Sequence, residues 1–240
     1  MKRLGVLIGL SIIVGCQSPR EGEPHSSTEV RPYQEEYTCM GSPSARNHAV
    51  YLHGFTGHKF ETSELRNLQN LRKLVNNLDL MIAIPKSPKS CFHKGRRRRC
   101  WGTEMTETQA RDATRIAAKA AAKCFPRRSD YGLIGFSNGG YVATKVFSYC
   151  LAPQISPRLK WIVTIGAAKL WGSGHSRRNL RSCRPITLVA GKRDRYNYER
   201  RQNKFRNLRK KGADISILLF DGGHEVPYGP LLTALRKHLQ

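Results

Sequence analysis

Six short, nearly unbroken apolar runs, each separated from the next by polar or helix-patterned sequence, constrain this chain most. They are 48–52 (HAVYL), 80–84, 131–136, 161–165, 186–190 and 215–220. Runs of five or six apolar residues without a polar alternation suit strands buried on both faces. Between them, apolar residues recur at helical spacing. Leu65, Leu68, Leu71, Val75 and Leu78 form one stripe. Ala110, Ala113, Ala117, Ala120 and Cys124 form a second, with Arg111, Arg115 and Lys119 facing outward. Val142, Val146, Phe147 and Cys150 form a third, and Tyr228, Leu231, Leu232, Leu235 and Leu239 a closing one. A further basic amphipathic helix is predicted at about 198–211, carrying Phe205 and Leu208. Strands alternating with helices favour a mostly parallel sheet of about six strands with helices on both faces, the α/β class. The apolar runs and their helices occupy about 175 residues, which leaves no room for a large cap domain.

The first residues read as an address. Lys2 and Arg3 precede an apolar run, 4–15, of only 12 residues. A membrane span needs about 20, so the run is predicted to be a signal-peptide core. It ends Ile13-Val14-Gly15-Cys16, which resembles the lipobox of bacterial lipoproteins. That resemblance implies cleavage before Cys16, acylation at Cys16 (a palmitate-type anchor) and residence in the bacterial cell envelope. Gln17 after the cysteine resembles the pattern sorted to an outer membrane. The expected organisation is thus a lipoprotein signal peptide at 1–15, a polar tether at 16–46 with a short strand near Tyr37, and a folded domain at 47–240. Six further cysteines, Cys39, Cys91, Cys100, Cys124, Cys150 and Cys183, form an even set that suits disulfides in an exported chain. Cys91 and Cys100 flank the KGRRRR run at the spacing of a short closed loop, and Cys150 with Cys183 would tie a helix end to a later loop. No pair has zinc-ligand spacing, so no metal site is expected.

Charge points to partners rather than fold. Lys and Arg number 42 against 17 Asp and Glu, a formal net charge of +25. Arg96 to Arg99 form one block, and a second stretch runs from Lys192 to Lys211. Such a surface attracts an anionic lipid or an acidic polymer; a merely solvated basic face is the competing reading. Nucleic acid is not expected as a partner, because no recognised nucleic-acid motif accompanies the charge.

Gly135-Phe136-Ser137-Asn138-Gly139-Gly140 lies between a strand and a helix. A G-x-S-x-G sequence in that context forms a sharp turn that lifts the serine out of the sheet, with small flanking residues avoiding clashes. A serine needs a base, and the base an orienting carboxylate. Asp194 follows the run at 186–190, and His224 follows the run at 215–220. All three candidates fall after the C-terminal ends of strands, where parallel sheets place their sites. Asp221 competes with Asp194 but shares a strand end with His224 and is worse placed to reach the far imidazole nitrogen.

These segments together, LHGFTG at 52–57, GFSNGG at 135–140, AGKRD at 190–194 and DGGHEVP at 221–227, resemble the α/β-hydrolase fold superfamily. The likeness is to small serine esterases of the carboxylesterase, dienelactone hydrolase and cutinase-like kind. It implies Ser137 as nucleophile, His224 as general base and Asp194 as its partner. It also implies an oxyanion hole from the backbone N–H groups of Phe55 and Asn138, and a turn-supporting role for His53. The two antiparallel strands that usually open that fold have no clear counterpart here, and 167–185 is too short for a large lid. The expected function is hydrolysis of small-molecule or lipid carboxylic esters through an acyl-enzyme, with no metal or organic cofactor. Thioesterase, deacetylase and peptidase activities are alternatives on the same fold. A non-catalytic, basic, envelope-binding protein is the alternative outside it.

Overall fold

The computed structural model describes residues 37–57, 62–104, 106–167, 180–194 and 207–240. The signal-peptide segment and Cys16 lie outside them, as does most of the basic helix expected at 198–211. Seven strands form one sheet: β1 (Tyr37–Met40), β2 (Asn47–Leu52), β3 (Leu80–Pro85), β6 (Tyr131–Phe136), β7 (Leu159–Ile165), β8 (Ile186–Gly191) and β9 (Ile215–Phe220). Two more strands, β4 (Lys89–His93) and β5 (Arg96–Cys100), pair antiparallel as a separate hairpin. The sheet order is β1-β3-β2-β6-β7-β8-β9, and every pairing but β1–β3 is parallel. The six apolar runs are thus the six parallel strands.

The long helices are α1 (Thr62–Leu78), α2 (Glu107–Cys124), α3 (Asn138–Ser148) and α5 (Tyr228–Leu239), with a single turn α4 (Ala152–Ile155) between α3 and β7. Helix α2 begins with a capping box: Thr106 accepts from the Gln109 N–H while the Gln109 side chain accepts from the Thr106 N–H. Successive residues of β2 alternate between two cores. Val50 and Leu52 join Ala110, Ala113 and Ala117 of α2 and Val142 and Val146 of α3. Ala49 and Tyr51 join Leu71 and Leu74 of α1 and Leu231 and Leu235 of α5. Burial on both faces is why these strands carry no polar alternation.

Two features depart from expectation. The short strand expected near Tyr37 is present as Tyr37–Met40, but it is an antiparallel edge strand on β3, so the sheet begins ahead of residue 47. One of the two opening antiparallel strands, for which the sequence offered no counterpart, is therefore present among the described residues. Cys39 within it is disulfide-bonded to Cys124 at the end of α2. The arginine block is not a loop but β5, and Cys91–Cys100 closes its hairpin. Lys94 and Gly95 form the two-residue turn with φ of 48° and 74°, the left-handed pair that a tight hairpin requires. Cys150–Cys183 is the third disulfide.

Candidate active site

Strand β6 is central, and Ser137 immediately follows it as the first residue before α3. Its backbone sits at φ 50°, ψ −113°, a region that a residue with a Cβ rarely occupies. The conformation is held by neighbours. The Ser137 N–H donates to the Ile165 carbonyl at 2.9 Å, and the Gly139 N–H donates to the His53 carbonyl at 3.1 Å. A Cβ at Gly139 would lie 2.2 Å from the Leu52 carbonyl oxygen, and one at Gly135 would lie 2.5 Å from the Gly139 oxygen. The G-x-S-x-G spacing is thus a consequence of backbones crossing at contact distance.

Three side chains distant in sequence meet here. His224 Nε2 lies 2.8 Å from Ser137 Oγ, and His224 Nδ1 lies 2.7 Å from Asp194 Oδ2. Because a carboxylate only accepts, the Nδ1–H donates to Asp194, leaving Nε2 to accept from the serine hydroxyl. The Asp194 side chain is 4% exposed and that of His224 is 32% exposed, so the acid is dry and the imidazole faces the cleft. Gly166, at φ 62°, passes beneath the ring; a Cβ there would lie 2.8 Å from His224 Cε1. Phe136 packs against the ring, tilted, at a centroid separation of 5.0 Å. Asp221, the competing acid, is exposed and pairs instead with Arg193 at 3.7 Å.

The loop after β2 forms the opposite wall. His53 is fully buried and accepts at Nε2 from the Ser87 N–H at 3.1 Å, so its Nδ1–H donates to the Gly54 carbonyl at 2.6 Å. Burial, opposed by the Gly54 bond and reinforced by the charge of Arg99, pushes its pKa down to about 4. It is a neutral strut for the turn that carries Phe55. Trp101 braces the same region: its backbone N–H donates to Asn138 Oδ1 at 2.7 Å and its indole N–H to the His53 carbonyl at 3.0 Å. The Asn138 amide donates on to the Gly102 carbonyl at 2.9 Å. Phe55 stacks on His93 of the hairpin at 4.2 Å, and Thr56 exchanges two backbone hydrogen bonds with Arg99. Gly54, Phe55, Phe136, Ser137, Tyr141 and His224 all line one cleft of about 710 Å³.

Sequence reasoning named Ser137, Asp194, His224, Phe55 and Asn138, and all five lie at this one rim of the sheet. It missed Trp101 and the hairpin wall. The only signal was the pair Cys91 and Cys100 flanking Lys94-Gly95. Among the described residues, no group of three or more His, Cys, Asp or Glu side chains is arranged to hold a metal ion.

A parallel sheet crossed by helices, with a serine on a strained strand-to-helix turn, defines an α/β-hydrolase. A family model, "Serine hydrolase (FSH1)", matches residues 44–231, and the chain belongs to that family. It is therefore a serine hydrolase. No curated protein matches it in sequence. Among solved structures it resembles a Bacillus cereus carboxylesterase, with a TM-score of 0.60 and 17% identity over 85% of this chain and 93% of that one. It also resembles Zea mays acyl-protein thioesterase 2, with a TM-score of 0.61 and 15% identity over 85% and 99%. Esterase PE8 gives a TM-score of 0.60 at 18% identity over 86% and 99%. At such identities the likeness is one of fold.

Proposed function

We propose that this protein hydrolyses carboxylic esters through an acyl-enzyme, with Ser137, His224 and Asp194 as the catalytic triad. The observation that carries the reading is the unbroken run from Ser137 Oγ to His224 Nε2 at 2.8 Å and from His224 Nδ1 to Asp194 at 2.7 Å. Ser137 Oγ attacks the ester carbonyl as Nε2 takes its proton. Asp194 holds the imidazole in the tautomer that can accept, and stabilises the imidazolium. The negative charge developing on the carbonyl oxygen is met by the N–H groups of Phe55 and Asn138, the latter in the first turn of α3, whose N-terminus is the positive end of the helix dipole. One such donor is worth roughly 3–4 kcal/mol of barrier. The imidazolium then protonates the departing alcohol, water enters, and His224 acts again as base to release the acid.

Export and anchoring complete the proposal: cleavage before Cys16 and acylation there would hold the domain at a bacterial envelope membrane, facing its substrate. Three disulfides support passage through an oxidising compartment. The test of catalysis is turnover of a p-nitrophenyl ester by wild type and by Ser137→Ala. Loss of turnover in the variant is the expected result; retained activity removes Ser137 from the mechanism. Labelling with a radioactive fatty acid, abolished by Cys16→Ser, tests the anchor.

A further inference from the structure

The cleft around Ser137 is lined by more charge than ester hydrolysis requires. Arg66 of α1, Lys94 and Arg98 of the β4–β5 hairpin, and Arg193 beyond β8 contribute four cationic side chains from three separate directions. Two carboxyls face them, Glu64 and Glu225. Glu64 is turned to other partners: it is 3% exposed and accepts from the Tyr51 hydroxyl at 2.9 Å and from the Asn67 amide at 3.2 Å, with burial raising its pKa. Glu225, exposed, leaves the four cations in excess over the carboxyls of the lining. Arg193 is partly committed to Asp221, through a contact of 3.7 Å and a bond to its backbone carbonyl at 3.3 Å.

The hairpin fixes its two cations at the cleft. Arg98 lies opposite Cys91 in the ladder, and His93 opposite Arg96, so these side chains share one face of the ribbon. That face looks toward the cleft, since His93 stacks on Phe55. Lys94 occupies the turn at its tip. The ribbon cannot swing away easily: Cys91–Cys100 closes it, and Thr56 and Arg99 join it to the β2 loop through two backbone bonds. His93 itself reports the field, its pKa lowered first by partial burial and then by Lys94 and Arg98.

Resting on the ester-hydrolase reading, we propose that the preferred substrate is an ester that itself carries an anionic group, a carboxylate, phosphate or sulfate, which Lys94, Arg98 and Arg66 bind while the ester carbonyl lies against Ser137. A single exposed ion pair contributes little in water. Several like charges lining a concave, partly dry cleft focus the potential and raise local concentration and capture rate by about 10-fold or more.

The test compares kcat/KM for two substrate pairs, each normalised to its rate of hydrolysis by hydroxide. The p-nitrophenyl monoester of adipic acid against its methyl-capped diester places the charge on the acyl side. 4-Acetoxybenzoate against its methyl ester places it on the alcohol side. At low ionic strength the charged member of at least one pair is expected to lead by roughly tenfold, with the lead shrinking as salt rises. Lys94→Gln and Arg66→Gln, both at exposed positions that do not threaten folding, are each expected to cut that ratio severalfold. Equal values in both pairs overturn the proposal, as does a preference indifferent to salt and to both substitutions. Labelling of wild type by a neutral alkyl fluorophosphonate separates the two readings. If Ser137 is labelled and no anion preference is found, only the substrate proposal falls; if Ser137 is unreactive, both fall.

Discussion

Ser137 is held where few residues with side chains can sit, and its neighbours determine whether it stays there. Because a Cβ on Gly139 would meet the Leu52 carbonyl at 2.2 Å, Gly139→Ala forces β2 and α3 apart at the site. We expect a loss of about 3 kcal/mol in denaturant unfolding, the upper part of the range for overpacking, together with a fall in kcat. In the proposed mechanism Asp194 acts through the imidazole rather than on the substrate. Asp194→Asn leaves the packing nearly intact but no longer secures the Nδ1–H tautomer, so kcat should fall by about 10⁴ while KM changes little. His53 sets a pH limit. Its folded pKa of about 4 lies below the ordinary 6.5, so between those values the unfolded chain binds a proton that the folded chain excludes. Stability therefore rises with pH across that window and is lost as pH falls through it. The contribution is on the order of 3 kcal/mol for a fully buried imidazole. Unfolding free energy measured at pH 7 and at pH 4.5 checks the sign, and His53→Gln should flatten the slope.

At the scale of elements, legibility followed the physics that made each one. The six parallel strands were readable because burial on both faces demands continuous apolar sequence, as in LMIAI or YGLIGF. The helices were readable from one-sided stripes such as Ala110, Ala113 and Ala117. The β4–β5 hairpin was not. Four consecutive arginines have no period of two, and the ribbon owes its existence to a two-residue turn, a disulfide and the Thr56–Arg99 link rather than to an apolar face. β1 was faint for a similar reason: its four residues are mostly exposed at the sheet edge. The same logic predicts how the hairpin can be released. Cys91→Ser with Cys100→Ser removes the closure, which the chain-entropy relation values at roughly 3 kcal/mol for a loop this short. Since the ribbon stacks on Phe55, whose N–H is proposed to meet the oxyanion, kcat/KM for a small neutral ester should drop in that variant, with the far-ultraviolet circular dichroism of the sheet unchanged.

Across the whole molecule, one parallel sheet converts sequence distance into proximity. The chain leaves β2 toward β3 on one side and returns to β6 on the other. The strand order thus reverses between β2 and β6, and the crevice there receives Phe55 from one strand end and Ser137 from the next. Asp194 and His224 arrive from β8 and β9 at the same edge. This convergence was foreseeable from chain order and strand ends; what lines the cleft was not, because Arg66 comes from a helix and Lys94 and Arg98 from a hairpin, with no shared motif. Cys39–Cys124 ties the edge strand to a helix 85 residues away. Replacing both cysteines with alanine should cost about 4 kcal/mol, read as a lower denaturant midpoint. The central claim, that Ser137 is the activated nucleophile, is most directly tested by treating the protein with a fluorophosphonate and locating the adduct by peptide mass spectrometry. One phosphonyl group on the peptide containing Ser137, absent from Ser137→Ala and greatly slowed in His224→Ala, is the predicted result. An unmodified Ser137 in correctly folded protein, or an adduct on another residue, would contradict it.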